Sequence, residues 1–407
     1  MADAFLPYGR QSIDDDDIAA VVAALRGEML TTGPRVASFE QAFARAVGAD
    51  HAVACNSGTA ALHLMMLAQG IGPGDAVIVP AITFLATANA ARYVGADVIF
   101  ADVDPDSGLI TPDTLAEAAS RVSGRRLRAV LPVHLNGWVA DLEGLSALAA
   151  SHGAILFEDA CHALGGVYGA GEGMNAAEGH RVGSCRHSLA ASFSLHPVKT
   201  ITMGEGGVVT TNDAALAMRM RRYRTHGMVR DAEAFLMAEQ AFGADGAPNP
   251  WYYEMPELGW NYRATDFACA LGESQLTKLD RFVARRAALS CRYDSLLASL
   301  PHVRPVPPQA GQRPGLHLYV VHISFADIGK DRARVMRELA ARGIGTQVHY
   351  LPVYRQPYYR SASPTPPLPG AEHYYAGALS LPLYPTMADD DVDRVVAALR
   401  AVLSAEH

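Results

Sequence analysis

Between residues 51 and about 215, short apolar runs alternate with longer stretches whose apolar residues recur at helical spacing. His51 to Cys55, Ala76 to Pro80, Val98 to Val103, Ala129 to Val133 and Ala154 to Phe157 read as strands. Thr59 to Gln69, Phe84 to Val94, a stretch opening at Pro112, and Asp141 to His152 read as the helices between them. Strands separated by helices of this length predict right-handed βαβ units around a mostly parallel sheet. Ligands of such sheets lie beyond the carboxyl ends of the strands, which directs attention to the loops there.

A Pro/aromatic segment, Trp251 to Asn261, breaks the alternation. Thr265 to Leu300 then reads as one long helical region, and Pro301 to Pro314 as a proline-rich connection. A second α/β pattern follows: strand Tyr319 to Ile323, helix Asp331 to Arg342, strand Gly345 to His349 and a final helix Asp389 to Val402. The division this suggests is a large domain over residues 1–265, then a linking helix and small C-terminal domain over 266–407. Acidic residues Asp14 to Asp17 suit a helix N-terminus rather than a metal site. The string DDDIAAVVAALR at 15–26 nearly recurs as DDDVDRVVAALR at 389–400, which reflects shared helix chemistry rather than a repeat architecture.

The chain has 407 residues, 50% of them hydrophobic and 19% charged, enough for one large core or two linked ones. A net charge of -8 provides no bulk basic field for nucleic acid or an anionic membrane, so any anion must be held locally. No basic leader precedes an apolar run, and no stretch of eighteen uncharged apolar residues appears. The five cysteines are scattered without a C-x-x-C pair, which points to a reduced, cytoplasmic protein with neither disulfide framework nor zinc ribbon. Of the 34 basic residues only Lys199, Lys278 and Lys330 are lysines. Chemistry that needs an amine therefore has three candidates.

Three strand-end segments carry candidate chemistry. NSGTAALHL, Asn56 to Leu64, follows a strand and opens a helix, where the Thr59 hydroxyl and Ala60 amide are placed to bind a phosphate; ordinary helix capping reads the same residues equally well. AILFEDACHALGG ends a buried strand in Glu158 and Asp159. A carboxylate there is costly unless paired, so Asp159 is a partner for a cationic group, with His162 three residues on. SFSLHPVKTITMGEGGVVTT places Lys199 between β-rich runs, beside Pro197 and before a GEGG turn, where desolvation should lower its pKa. Lys278, on an arginine-rich helix, and Lys330, in a GKDR turn, read as solvated charges. A phosphate cradle, a buried carboxylate and a desolvated lysine on successive strand ends are the requirements of pyridoxal 5'-phosphate.

The chain as a whole resembles the DegT/DnrJ family of sugar aminotransferases, through TTGPRVASFE, NSGTAALHL, FEDACHALG, SFSLHPVKTITMGEGG, LGWNYRATDFACALGESQL and ALSLPLYP. The resemblance implies fold type I, the aspartate aminotransferase-like α/β architecture. It implies Lys199 as the lysine that condenses with the cofactor aldehyde, Asp159 as partner of the pyridine nitrogen, and Phe84 as cover of the ring face. It implies Thr59, Ala60 and Ser194 as phosphate ligands, His162 as a contact near the ring hydroxyl, and Asn261 as a phosphate contact from the other subunit of a homodimer with shared active sites.

YGRQSIDDDDI, PWYYE and GIGTQVHYLPVYRQPYYR are most similar to members of the family that act at C4 in pseudaminic acid biosynthesis. This implies transfer of an amino group from L-glutamate to a UDP-linked 4-keto-6-deoxy-2-acetamido sugar, with Tyr8, Arg10, His349 and Tyr350 facing the substrate. Arg10 and the RMRRYRTHGMVR stretch, Arg219 to Arg230, are the candidate cations for the diphosphate. LNGWVADL at 135–142, expected beside the sugar pocket, and a long glycine-rich stretch from Gly169 to Gly183 depart from the family pattern. Another nucleotide-linked keto sugar, aminated at C3 or linked to dTDP or GDP, is the alternative substrate. A sugar 3-dehydratase is disfavoured because such relatives replace the lysine by histidine, and a cofactor-binding regulator because no helix-turn-helix or basic face is present. A cysteine desulfurase is disfavoured because no cysteine lies in an evident mobile Gly/Ser loop.

Overall fold

A computed structural model describes residues 4–169 and 179–404. Strands β1 (His51–Cys55), β2 (Asp75–Pro80), β3 (Asp97–Ala101), β4 (Arg126–Val130) and β5 (Ile155–Asp159) come first along the chain, and β6 (Val167–Tyr168) pairs with β7 (His180–Arg181) as a small separate ribbon. β8 (Ala190–Ser194) and β9 (Gly207–Thr211) complete a seven-stranded sheet in the order β1-β9-β8-β5-β4-β2-β3. All of its pairings are parallel except those of β9, which runs antiparallel to both β1 and β8. β2 is buried along its whole length, as a strand covered by helices on both faces must be.

The reversal at β9 has a positional consequence. Residues 195–206 leave the carboxyl end of β8 and turn straight back, so the Lys199 loop stays at that end of the sheet instead of crossing it as a helix. Its neighbour on one side is β5, in register at Asp159 and Ser192, and on the other side, past β9, lies β1, from which the helix Gly58–Ala68 departs. Thus three strand ends converge on one place. Ser57, Thr111, Asp141, Asp213 and Thr265 cap the helices that follow them through their side-chain oxygens, which fixes where each connection stops.

A second sheet is formed by β10 (Val303–Pro305), β11 (Tyr319–Ile323) and β12 (Ala378–Leu381) in antiparallel order. The helix Leu279–Leu297 spans two cores: Phe282 and Val283 pack with Phe43 and Phe193 beside the large sheet, whereas Leu289, Tyr293 and Leu297 pack with Val321, Leu379 and Val396 beside the small one. Among the described residues no helix is long and apolar enough to cross a membrane.

Several expectations need correction. The strand read as Ala129 to Val133 is Arg126–Val130, its amphipathic start hidden by two arginines. Gly345 to His349 is not a strand; it joins β12 through one isolated bridge, Gln347 to Ser380, while the missed strand β12 takes the place beside β11. The region Thr265 to Leu300 is two helices, Asp266–Leu276 and Leu279–Leu297, broken at Thr277 and Lys278. Residues 170–178 of the glycine-rich stretch lie outside the described residues.

Lys278 and Lys330 are not solvated charges. Lys278 is 8% exposed and reaches Asp14 and, at 2.8 Å, the fully buried Asp17. Asp17 also accepts from Ser274 Oγ at 2.7 Å and Gln275 Nε2 at 2.6 Å, so its carboxylate is saturated. Lys330 pairs with Glu338 at 3.0 Å and donates to the Val402 carbonyl at 2.5 Å. Both lysines are occupied with fastening helices. Asp14 caps the helix Asp15–Leu25 and closes a capping box with Asp17, as the helix-start reading requires. Lys278→Met leaves Asp17 buried and uncompensated, and a loss of about 3 kcal/mol is expected. Urea denaturation measures it; a change under about 0.5 kcal/mol shows that the pair is not a fastening of the fold.

Candidate active site

At the three strand ends lies a cavity of about 620 Å³, whose wall includes Thr59, Asp159, His162, Ser194, Lys199 and Tyr350. Asp159 is the last residue of β5 and 5% exposed. Its Oδ2 accepts from Thr87 Oγ1 at 2.7 Å, and its Oδ1 accepts from the Cys161 N–H at 3.2 Å. Thr83 Oγ1 in turn lies 2.7 Å from Thr87 Oγ1. The carboxylate is thus aimed by neutral donors alone, and its charge remains available to a cation in the cavity.

Lys199 faces the same space. It is half-buried, its N–H donates to the His196 carbonyl at 2.8 Å, and its Nζ lies 3.5 Å from His317 Nε2. Desolvation pulls the ammonium below its ordinary range, partly opposed by Cys161 and Asp159. An amine of this kind is deprotonated more readily than a surface lysine.

At the phosphate end, Ser57 caps the helix Gly58–Ala68 by accepting from the Ala60 N–H at 3.1 Å. The Ala60 amide is therefore already engaged, and Ala60 is buried outside the cavity wall; Gly58, Thr59 and Ser194 form the wall. A Cβ at Gly58 would fall 2.7 Å from Ser194 Cβ, and one at Gly207 would fall 2.2 Å from the Ser57 carbonyl oxygen. Only glycine lets the helix start approach β8 and β9 this closely. The result is a narrow hydroxyl-lined helix N-terminus, suited to a phosphate.

His162 is fully enclosed. Its Nδ1 accepts from the Asn136 N–H at 3.3 Å, which places the ring proton on Nε2, 3.2 Å from the Tyr350 hydroxyl oxygen. Tyr350 then keeps its own hydroxyl proton to donate. Phe84 precedes the helix Leu85–Tyr93 with its ring 55% exposed at the cavity and 6.1 Å from the Tyr350 ring. Tyr8 and His349 also line the wall, the latter with Nδ1 2.7 Å from Ser380 Oγ.

Two expected residues lie elsewhere on the chain. Arg10 and Asn261 are exposed and absent from the wall, with Asn261 fixed by a backbone bridge to Thr225. The arginine-rich stretch is largely committed: Arg221 and Arg224 hold Glu40 at 3.1 and 2.5 Å, and Arg222 faces Glu257 at 3.6 Å. Asn136 and its neighbours lie behind His162 rather than beside the pocket, and the Asn136 carbonyl accepts from the His317 and Leu318 N–H groups. Thr83, Thr87 and His317 carried no signal in the sequence, because their partners Asp159 and Lys199 are distant along the chain.

Pyridoxal phosphate fits these residues. A buried carboxylate without an ion-pair partner among the described residues, a desolvated lysine, an exposed aromatic ring and a cradle that a Cβ at Gly58 would fill are what the cofactor requires.

Desolvation holds His162 and His317 well below their ordinary range and His349 at about 3, so the folded protein keeps all three neutral. Below about pH 6.5 the unfolded chain takes up protons at these rings that the folded chain refuses, so stability falls with pH by about 1.4 kcal/mol per unit for each ring. Urea midpoints between pH 7 and 5 should show this, with a slope shallower by one proton in His349→Gln. Equal slopes in variant and parent contradict neutral burial of His349.

Residues 11–400 match the model of the DegT/DnrJ/EryC1/StrS aminotransferase family. The spore coat polysaccharide biosynthesis protein SpsC of Bacillus subtilis is 38% identical over 98% of this chain and 97% of its own. Among solved structures, Helicobacter pylori PseC, an aminotransferase involved in the biosynthesis of pseudoaminic acid, superposes with a TM-score of 0.86 at 28% identity, over 98% of this chain and 99% of that one. The PLP-form of the sugar aminotransferase Spr1654 from Streptococcus pneumoniae superposes with a TM-score of 0.84 at 25% identity, over 98% of each chain. With a family match over nearly the whole chain, a mostly parallel α/β sheet and a cavity fitted to the cofactor, this chain belongs to the DegT/DnrJ/EryC1/StrS family and is a pyridoxal-phosphate-dependent aminotransferase.

Proposed function

We propose that the chain transfers an amino group from L-glutamate to the C4 ketone of a UDP-linked 4-keto-6-deoxy-2-acetamido sugar. The observation that carries amino transfer is the placement of Lys199, on the loop after β8, and Asp159, at the end of the adjacent strand β5, in the wall of one cavity. Similarity to PseC and SpsC, together with the YGRQSIDDDDI and PWYYE segments, supports a nucleotide-linked sugar.

Bound pyridoxal phosphate supplies an electron sink that makes the hydrogen beside the substrate nitrogen acidic. Lys199 Nζ, its basicity lowered by desolvation, would take that proton and deliver it to the carbon on the other side of the nitrogen. Asp159, aimed by Thr87 and the Cys161 amide, would hold the protonated ring nitrogen. His162 and Tyr350 would meet the ring hydroxyl, Phe84 would cover one ring face, and Thr59 and Ser194 would hold the phosphate. Tyr8 and His349 face the sugar side.

Among the described residues the cavity wall contains no lysine or arginine besides Lys199. A diphosphate therefore finds its cations at the mouth, as at Arg10, or on a second copy of the chain. Phe84, Tyr93, Trp251 and Leu258 leave large apolar surface exposed on this single chain, which supports a homodimer in which Asn261 reaches the neighbouring phosphate site. The free cysteines, none in a disulfide among the described residues, support work in the reducing cytoplasm.

L-Glutamate added to the cofactor-loaded protein should change the cofactor absorbance and release one equivalent of 2-oxoglutarate. Lys199→Ala should lower that rate by about a thousandfold or more; covalent retention of the cofactor by this variant would refute the role of Lys199. In a panel of UDP- and dTDP-linked 4-keto and 3-keto sugars, mass spectrometry should find the amine only on the UDP-linked 4-keto compound. Amination of a 3-keto or dTDP sugar alone rules out the substrate assignment.

A further inference from the structure

Arg286 is an oddity of this fold. It stands on the helix that joins the two cores, is 1% exposed, and forms no ion pair among the described residues. Its guanidinium is solvated by main chain instead: Nη1 donates to the His317 carbonyl at 3.2 Å and to the Leu383 carbonyl at 2.7 Å, and Nη2 approaches the Lys199 carbonyl at 3.5 Å. A buried cation without a carboxylate is costly, and Nε is left without any partner. Its three acceptors are the main chain of Lys199, the residue two before β11, and the segment just after β12.

His317 closes the loop from the other side. Its ring is fully enclosed, 4.6 Å from the His162 ring, with Nδ1 unpartnered and Nε2 3.5 Å from Lys199 Nζ. That nitrogen is the only hydrogen-bond partner of Lys199 Nζ among the described residues. We infer that Arg286 and His317 form one positioning unit for Lys199, in which the guanidinium locks the main chains of both residues at a fixed separation and the imidazole Nε2 receives the lysine amine whenever it is free. A lone imidazole acceptor in a dry wall is useful only at the right distance, and the shared guanidinium sets that distance.

The groups that face Lys199 are Asp159, Cys161, His162, His317 and His349, and those that face His317 are Lys199, His162, Arg286 and His349. The histidines stay neutral through the neutral and alkaline range, so the charge that changes there is that of the lysine. The inference rests on Lys199 as the cofactor lysine, but its test requires neither cofactor nor substrate.

The cofactor-free full-length protein is treated with an amine-acylating aryl ester across pH, and acylation of each of the three lysine peptides is followed by mass spectrometry. Lys278 and Lys330, held in ion pairs, serve as internal references for folding. His317→Phe removes the acceptor of the ammonium, and the midpoint of Lys199 acylation should fall by about one pH unit. His317→Gln, whose carboxamide oxygen can accept, should restore most of the shift. In Arg286→Met the His317→Phe shift should shrink to less than half, because the acceptor is no longer held in place. An unchanged midpoint in His317→Phe overturns the inference, as does a full shift in the Arg286→Met background with the reference peptides still protected. Should Lys199→Ala fail the glutamate test while these shifts appear, the cofactor role falls and the positioning unit stands.

Discussion

The site is organised by one costly group, the Asp159 carboxylate buried at the carboxyl end of β5. Two neutral donors aim it without cancelling its charge, so it holds a stabilising interaction in reserve for a cationic ring. The strand order follows from the same requirement. β8 must lie beside β5 for the lysine loop to face that carboxylate, and β9 must turn back for the loop to remain there.

Around this carboxylate the buried titratable side chains of the wall are neutral, while the wall's other carboxylate, Glu205, is exposed. His162, His317 and His349 are desolvated into neutrality, the phenol of Tyr350 is pushed well above its ordinary range, and the Cys161 thiol is likewise kept protonated by burial and by Asp159. Hydrogen bonds rather than ion pairs orient these groups, as shown by Asn136 to His162 and Ser380 to His349. Among the described residues, Lys199 and Asp159 thus hold the buried charge of the cavity, with Glu205 exposed at its wall. The ion pairs are placed farther out, at Asp17 and Lys278 or Glu40 and Arg224, where they fasten helices.

The linking helix unites these levels. Its first turns complete the large core, its last turns complete the small one, and between them Arg286 touches the main chain of the lysine loop and of the segments flanking β11 and β12. A hydrophobic residue at 286 could join the cores, but it could not bind three carbonyl groups at once.

The βαβ alternation, the strand ends at Cys55 and Asp159, and the position of Lys199 on a strand-end loop were all legible in the sequence. Each depends on local apolar period or on residue scarcity: with three lysines in the chain, context alone separated one from the others. Local pattern nevertheless misjudged Lys278 and Lys330, since burial of a long side chain is decided by distant carboxylates such as Asp17. It overlooked Thr87, His317 and Arg286 for the same reason, and it assigned to the phosphate an Ala60 amide that the Ser57 cap already holds. Sequence by itself determined most of the elements around the large sheet and which residue types stand at its strand ends. Tertiary structure alone decided which of those residues meet, because a hydrogen bond or a desolvated charge depends on neighbours brought together across more than a hundred residues, as His317 is to Lys199.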